Sequence, residues 1–173
     1  MEPRKAIDSF ITMNELVLPN DTNTFGDLMG GKLMYWMDIA AYLSAAKHCN
    51  SAAMTASVDN LSFKTPIKLG NVICIEAIVT RAFNTSMEIH LKVWNQNMIT
   101  QTRVLSNEAF FTFVALDENK RPKQVPAVIP ESEQEIKYYE GALRRRQMRL
   151  ILSGKMKPED APELKALFTQ IEK

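Results

Sequence analysis

GGKLMYWMDIAAYLSAAKH, residues 30–48, is the stretch on which the fold turns. Leu33, Met34, Met37, Ala40, Ala41 and Ala45 recur at the three- and four-residue spacing of one helical face. Tyr35, Trp36, Ile39, Tyr42 and Leu43 carry apolar character onto the other faces. A helix that is apolar nearly all round belongs in an interior rather than on a surface. The sequence therefore predicts a buried helix from Lys32 to about His48, opened by Gly30-Gly31.

Working outward, Phe10 to Leu18 is extended in character and stops at Pro19. Asn20-Asp-Thr-Asn-Thr-Phe-Gly26 follows, dense in residues that favour turns and helix caps. After the helix come four strand-like segments: Met54 to Phe63, Asn71 to Ala82, Ser86 to Trp94 and Val104 to Leu116. In the third, Met87, Ile89, Leu91 and Val93 alternate with Glu88, His90 and Lys92, the pattern of a half-buried antiparallel strand with its polar residues outward. The order is strand, buried helix, four strands, with no βαβ repeat. One long central helix wrapped by an antiparallel β-sheet, an α+β fold, accounts for it. From Arg121 the composition changes: Pro122, Pro126 and Pro130 stiffen a connector, Glu131 to Gln147 is charged and helical, and a short helix follows Pro158. Residues 1–125 form the expected domain. Residues 126–173 form a C-terminal helical extension packed on it, rather than a second domain.

Lys and Arg total 21 against 20 Asp and Glu, a net charge of +1, so no overall field favours nucleic acid or an anionic membrane. The first residues, MEPRKAIDSF, lack the apolar run of a signal peptide, and no segment approaches the roughly 18 apolar residues of a spanning helix. Cys49 and Cys74 sit in apolar company, and no Cys/His cluster has metal-ligand spacing. A cytoplasmic protein with no metal and no resident cofactor is expected.

Asp38 is the first candidate for chemistry, because a carboxylate within Tyr-Trp-Met-Asp-Ile-Ala-Ala costs several kcal/mol to desolvate unless something offsets it. It either emerges at a dimer seam and accepts a structural hydrogen bond, or serves as a general base or nucleophile beside a dry pocket. Asp21 reads as turn chemistry, whereas Asn23 reads either so or as a holder of water or a substrate carbonyl. Gly30 and Gly31 would expose unpaired N–H donors at the positive end of the helix, suited to an oxyanion. His48 and His90 are the only histidines, and there is no Gly-x-Ser-x-Gly elbow or phosphate-cradling glycine loop. Arg144, Arg145, Arg146 and Arg149 form the basic cluster, either a solvated helix face or a clamp for phosphates.

As an ordered set, these motifs resemble the hotdog-fold acyl-CoA thioesterases of the cytosolic acyl-CoA hydrolase type. The set is Asp21-x-Asn23-x-x-Gly26, Gly30-Gly31, Met37-Asp38, Thr55-Ala-Ser-Val-Asp59, Ser62-Phe63 with Pro66-Ile67 and Gly70, Ser86-Met-Glu-Ile89, Ala109-Phe-Phe-Thr-Phe-Val114, and Val125-Pro-Ala-Val-Ile-Pro-Glu131 with Tyr138-Tyr139-Glu140. The resemblance runs from Phe10 to Arg149. It implies dimers with sheets joined edge to edge, assembled as trimers of dimers, and active sites at the dimer interface. It implies acyl-CoA as substrate, with Asp38 activating water or attacking the thioester. Asn23 from the partner subunit would assist, and the Gly30 and Gly31 backbone would polarise the carbonyl. Arg144, Arg145 and Arg149 become candidates for CoA's phosphates. Met29 stands where many members have His or Phe before the Gly-Gly. Two alternatives remain open at this point: a hotdog enoyl-CoA hydratase, which would want a histidine beside the carboxylate, and a non-catalytic acyl-CoA-binding sensor, which would not need Asp38.

Overall fold

The computed structural model describes residues 1–59, 61–63 and 65–169 and falls into two compact units, Met1–Ile129 and Pro130–Lys173. In the first unit, β1 (Arg4–Lys5) and β2 (Ile11–Leu16) precede α1 (Gly30–Cys49), and β3 (Ala53–Asp59), β4 (Val72–Ala82), β5 (Ser86–Asn97), β6 (Thr102–Ala115) and β7 (Val128–Ile129) follow. Five strands make one antiparallel sheet in the order β2-β4-β5-β6-β3, and β1 pairs in parallel with β7. The long helix on an antiparallel sheet is the expected α+β architecture. Val125 and Pro126 are buried in this unit, and Val128–Ile129 pairs with Arg4–Lys5.

The sheet face that meets α1 follows the alternation read from the sequence: Met87, Ile89, Leu91 and Val93 are fully buried. Leu33, Trp36, Met37, Ala40, Ala41 and Ala45 of α1 are buried as well. Each large side chain among them contributes about 1.5–3 kcal/mol by leaving water. The helix stops where Asn50 turns into the left-handed region at φ 50° and its N–H bonds Ala46 O, a conformation Asn tolerates better than most residues.

Three expectations need correction. First, α1 is not buried all round. Met34, Tyr35, Tyr42 and Leu43 are 39–58% exposed, because a single sheet covers only one side of a helical cylinder. Second, Glu88 and His90 do not face solvent: both are buried. The Thr80 hydroxyl donates to Glu88 Oε1 at 2.8 Å, and His90 Nε2 lies 3.3 Å from Glu108 Oε1 with its ring against Phe110. Third, β3 ends at Asp59 rather than Phe63. Ser62 O accepts from the Asn107 side-chain amide in place of a ladder bond, and residue 60 of the expected strand lies outside the described residues.

The second unit contains α2 (Glu133–Leu152) and α3 (Pro162–Thr169). Ser132 caps α2. Its hydroxyl accepts from Glu135 N–H while the Glu135 carboxylate accepts from the Ser132 and Glu131 N–H groups, a reciprocal capping box. The helix therefore starts two residues later and ends five later than the charge pattern suggests. Gln147 Oε1 accepts from Leu164 N–H and ties α3 to α2. The last four residues of the expected extension, 170–173, lie outside the described residues.

Candidate active site

The turn before α1 is built by its own carboxamide and carboxylate. Asp21 is buried, accepting from Leu18 N–H at 3.0 Å through one oxygen and standing 3.2 Å from Lys32 Nζ through the other. The Leu18 bond, and then Lys32, hold its carboxyl below the usual carboxylate range against the opposing effect of burial. Asp21 therefore does the turn chemistry read from the sequence. Asn23 Oδ1 accepts from Phe25 N–H at 2.9 Å and Asp27 N–H at 3.2 Å, and its backbone bonds Asp27 O and Gly26 N–H. Gly26 takes φ 72° to close the loop. Both backbone N–H groups claim Oδ1, so the amide is oriented with its Nδ2 donors turned away from the loop.

Helix α1 then starts without a side-chain cap. Leu28 N–H bonds Ile67 O and Met29 N–H bonds Asp21 O, which fixes the approach. The Gly30 and Gly31 N–H groups have no acceptor among the described residues. They form the positive end of a 20-residue helix. A cavity of about 260 Å³ opens beside them, lined by Asn23, Asp27, Gly30, Leu33, Phe63 and Asn107 among others. Asp27 pairs there with Lys68 at 2.6 Å.

Asp38 does not line this cavity. It lies eight residues along α1 from Gly30, about 12 Å at 1.5 Å per residue. It is half-buried, beside the helix's exposed apolar residues, and accepts a 2.6 Å hydrogen bond from Thr55 Oγ1 of β3. The β3–β6 register slips between Thr55 and Ser57, and a bulge of this kind re-aims side chains. So one chain brings Asn23 and Gly30 together at one cavity, holds Asp38 with Thr55 elsewhere, and leaves Gly31 open at the helix tip. Thr55 was not among the residues the sequence nominated. Its signal was a hydroxyl on the motif strand after α1, but nothing local says which carboxylate it meets.

Both histidines are committed elsewhere. His48 is buried at the far end of α1, with Nε2 2.9 Å from Pro126 O, so Nε2 carries the proton. Burial pushes its imidazole below the ordinary value, against the pull of the Pro126 carbonyl. Arg144, Arg145 and Arg149 all lie on α2 of the second unit. Arg145 folds back along its own helix, donating to Tyr138 O at 2.6 Å and lying over Gly141, where a Cβ would stand 2.6 Å from the guanidinium. Among the described residues, no group of three or more His, Cys, Asp or Glu is placed to hold a metal ion, and no helix is long and apolar enough to cross a membrane.

Residues 25–101 match the thioesterase superfamily. The chain is 41% identical over 144 residues to an uncharacterized acyl-CoA thioester hydrolase of Bacillus subtilis, covering 83% of this chain and 84% of that one. A hexameric acyl-CoA thioesterase, solved in its apo form, superposes with a TM-score of 0.85 at 39% identity, over 88% of this chain and 98% of that one. An acyl-CoA hydrolase of Staphylococcus aureus, solved with butyryl coenzyme A, coenzyme A and coenzyme A disulfide, gives a TM-score of 0.81 at 35% identity, over 88% and 96%. That enzyme has also been solved with an aspartate, an asparagine or a threonine replaced by alanine. The chain thus has the hotdog fold and belongs to the thioesterase superfamily, among its acyl-CoA thioester hydrolases.

Proposed function

We propose that this acyl-CoA thioester hydrolase works through sites shared between two copies of the chain, Asp38 of one acting with Asn23 of the other. The observation that carries this reading is the separation just described. Asn23 and Gly30 meet at a cavity that Asp38 does not reach, while Asp38 sits on a helix flank whose Met34, Tyr35, Tyr42 and Leu43 are left exposed. A second copy covering that flank would desolvate Asp38 and supply the missing turn. The replaced asparagine, aspartate and threonine of the Staphylococcus aureus enzyme are spaced fifteen and seventeen residues apart. Asn23, Asp38 and Thr55 have the same spacing.

The chemistry follows from the donors and acceptors. The Thr55 hydroxyl donates to Asp38 Oδ1 and leaves Oδ2 as the acceptor for a water proton. As that water attacks the thioester carbon, the carbonyl oxygen gains negative charge, which the Gly30 and Gly31 N–H groups and the helix dipole stabilise. The Nδ2 of Asn23, oriented outward by its loop, donates to the attacking water or to the same oxygen. The C–S bond then breaks and the CoA sulfur takes the proton that Asp38 accepted, giving a carboxylic acid and CoA. Direct attack by Asp38 through an acyl anhydride uses the same groups. Arg144, Arg145 and Arg149 are the proposed partners of CoA's phosphates, each charge-assisted contact contributing about 1.5–3 kcal/mol. A trimer of dimers fits the hexameric relative, and a cytoplasmic setting fits two unpaired cysteines.

Asp38→Asn keeps the shape and removes the base. Its kcat in a thiol-release assay on acyl-CoA should fall by at least about a hundredfold, and near-normal turnover would overturn the assignment. The same assay separates the alternatives. Loss of enoyl absorbance would mark a hydratase, which the placement of His48 and His90 away from the cavity disfavours. Binding without turnover would mark a sensor.

A further inference from the structure

We propose that the cavity at the start of α1 receives the acyl chain of the substrate, and that Phe63 sets the chain length it accepts. This inference rests on the hydrolase reading above and deepens it. Phe63 stands in the loop after β3, 48% exposed, with its ring against the bare Cα of Gly30. A Cβ at Gly30 would meet the ring at 3.2–3.4 Å, tighter than side chains normally pack. The absence of that Cβ is what lets the aromatic edge reach the first residue of the helix. The ring is thereby one wall of the space next to the Gly30 N–H, which has no acceptor among the described residues and holds the carbonyl in the mechanism proposed above.

Ser62, the residue before Phe63, is held in place. Asn107, buried on β6, donates its side-chain amide to Ser62 O and accepts from Ser106 Oγ at 2.7 Å. A buried amide with both ends bonded fixes the residue before Phe63 rather than leaving it to drift.

The lining decides which part of the substrate belongs inside. Leu28, Leu33 and Ile67 are buried, and with Pro66 and Phe63 they make the apolar side of the lining, while Asn23, Asp27, Thr65 and Asn107 make the polar side. Among the described residues the charge in the lining is the Asp27 carboxylate, already paired with Lys68. Among the described residues no lining side chain is a cation that could meet the phosphates of CoA, and the apolar side of the lining suits a hydrocarbon. At about 260 Å³ the space falls below the roughly 300–1,000 Å³ of pockets that take a drug-sized ligand. It therefore fits a short or medium acyl chain, with the nucleotide end outside.

The test is kcat/KM across an acyl-CoA series from acetyl to palmitoyl for the wild type, Phe63→Ala and Phe63→Trp. Hydrophobic pockets discriminate about 10–200-fold per methylene at their limit. Phe63→Ala should raise the ratio of dodecanoyl-CoA to butyryl-CoA hydrolysis by at least about tenfold, and Phe63→Trp should lower it. Should Phe63→Ala not fold, Phe63→Leu is expected to move the ratio in the same direction to a smaller extent. A ratio unchanged in every variant, or a change by one common factor at all chain lengths, would overturn the proposal; the latter assigns the cavity to the pantetheine arm. A wild type that hydrolyses no member of the series would overturn the hydrolase reading itself, whereas an unmoved profile in an active enzyme removes only this inference.

Discussion

Replacing Thr55 with valine removes one hydroxyl and little volume, which isolates the bond it makes to Asp38. That bond is 2.6 Å long, from a neutral hydroxyl to a carboxylate on a half-buried helix flank. Hydrogen bonds to charged groups contribute about 1.5–3 kcal/mol. If the bond acts by holding the carboxylate toward the attacking water, its loss is felt in the transition state. At 1.36 kcal/mol per tenfold, the expected fall in kcat is about 10–100-fold. KM should change little, because Thr55 touches Asp38 rather than CoA. The assay is steady-state hydrolysis of butyryl-CoA with a thiol reagent, beside a thermal melt. Thr55→Ser, which restores the hydroxyl, should recover most of the activity, whereas a merely structural role for the methyl group would leave the valine enzyme active and the serine enzyme impaired. A Thr55→Val enzyme within twofold of wild-type kcat, melting normally, would refute the argument that this bond positions the base.

Other outcomes follow from the same geometry. Replacing Leu43, 41% exposed on the open flank of α1, by glutamate would bury an unpaired charge at a cost of several kcal/mol if a second copy covers that flank; sedimentation should show a smaller particle, and an unchanged mass would contradict the shared site. His48 has an imidazole held below its ordinary value by burial, so below about pH 6.5 the unfolded chain binds more protons than the folded one. The contribution of His48 to stability is therefore complete above that pH and is lost as pH falls toward the lowered folded value. The melting temperature of His48→Gln should depend less on pH between about 5 and 7 than that of the wild type, and parallel curves would contradict this. Arg145→Ala with Arg149→Ala should raise KM for acyl-CoA but not for a short acyl-pantetheine thioester, and equal effects on both substrates would make these arginines structural.

Much of the fold was legible because periodicity carries it. The three- and four-residue recurrence from Leu33 to Ala45 predicts α1, and the alternation from Met87 to Val93 predicts β5. What periodicity cannot say is how many sides of an element are covered. It left Tyr35 and Leu43 indistinguishable from Trp36 and Met37, although only the second pair is buried within one chain. It placed Glu88 and His90 outward, although both are buried with polar or aromatic neighbours from adjacent strands. The candidate site divides in the same way. Asn23, Gly30 and Asp38 are visible because a turn, a helix start and a carboxylate in an apolar run are local signals. The Thr55 bond joins residues seventeen positions apart on different elements, and the Phe63–Gly30 contact joins residues on opposite sides of β3. Neither follows from local composition, since both depend on how the sheet carries β3 past the helix.

The shared site is tested most directly by mixing two inactive proteins, Asn23→Ala and Asp38→Ala, under conditions that exchange subunits. In a two-fold dimer with random exchange, half the dimers are mixed and each of these holds one intact site of two, so activity should recover to about a quarter of wild type. Mixing with exchange confirmed by mass and no recovery of hydrolysis would contradict the account, placing Asn23 and Asp38 in the same site of the same chain.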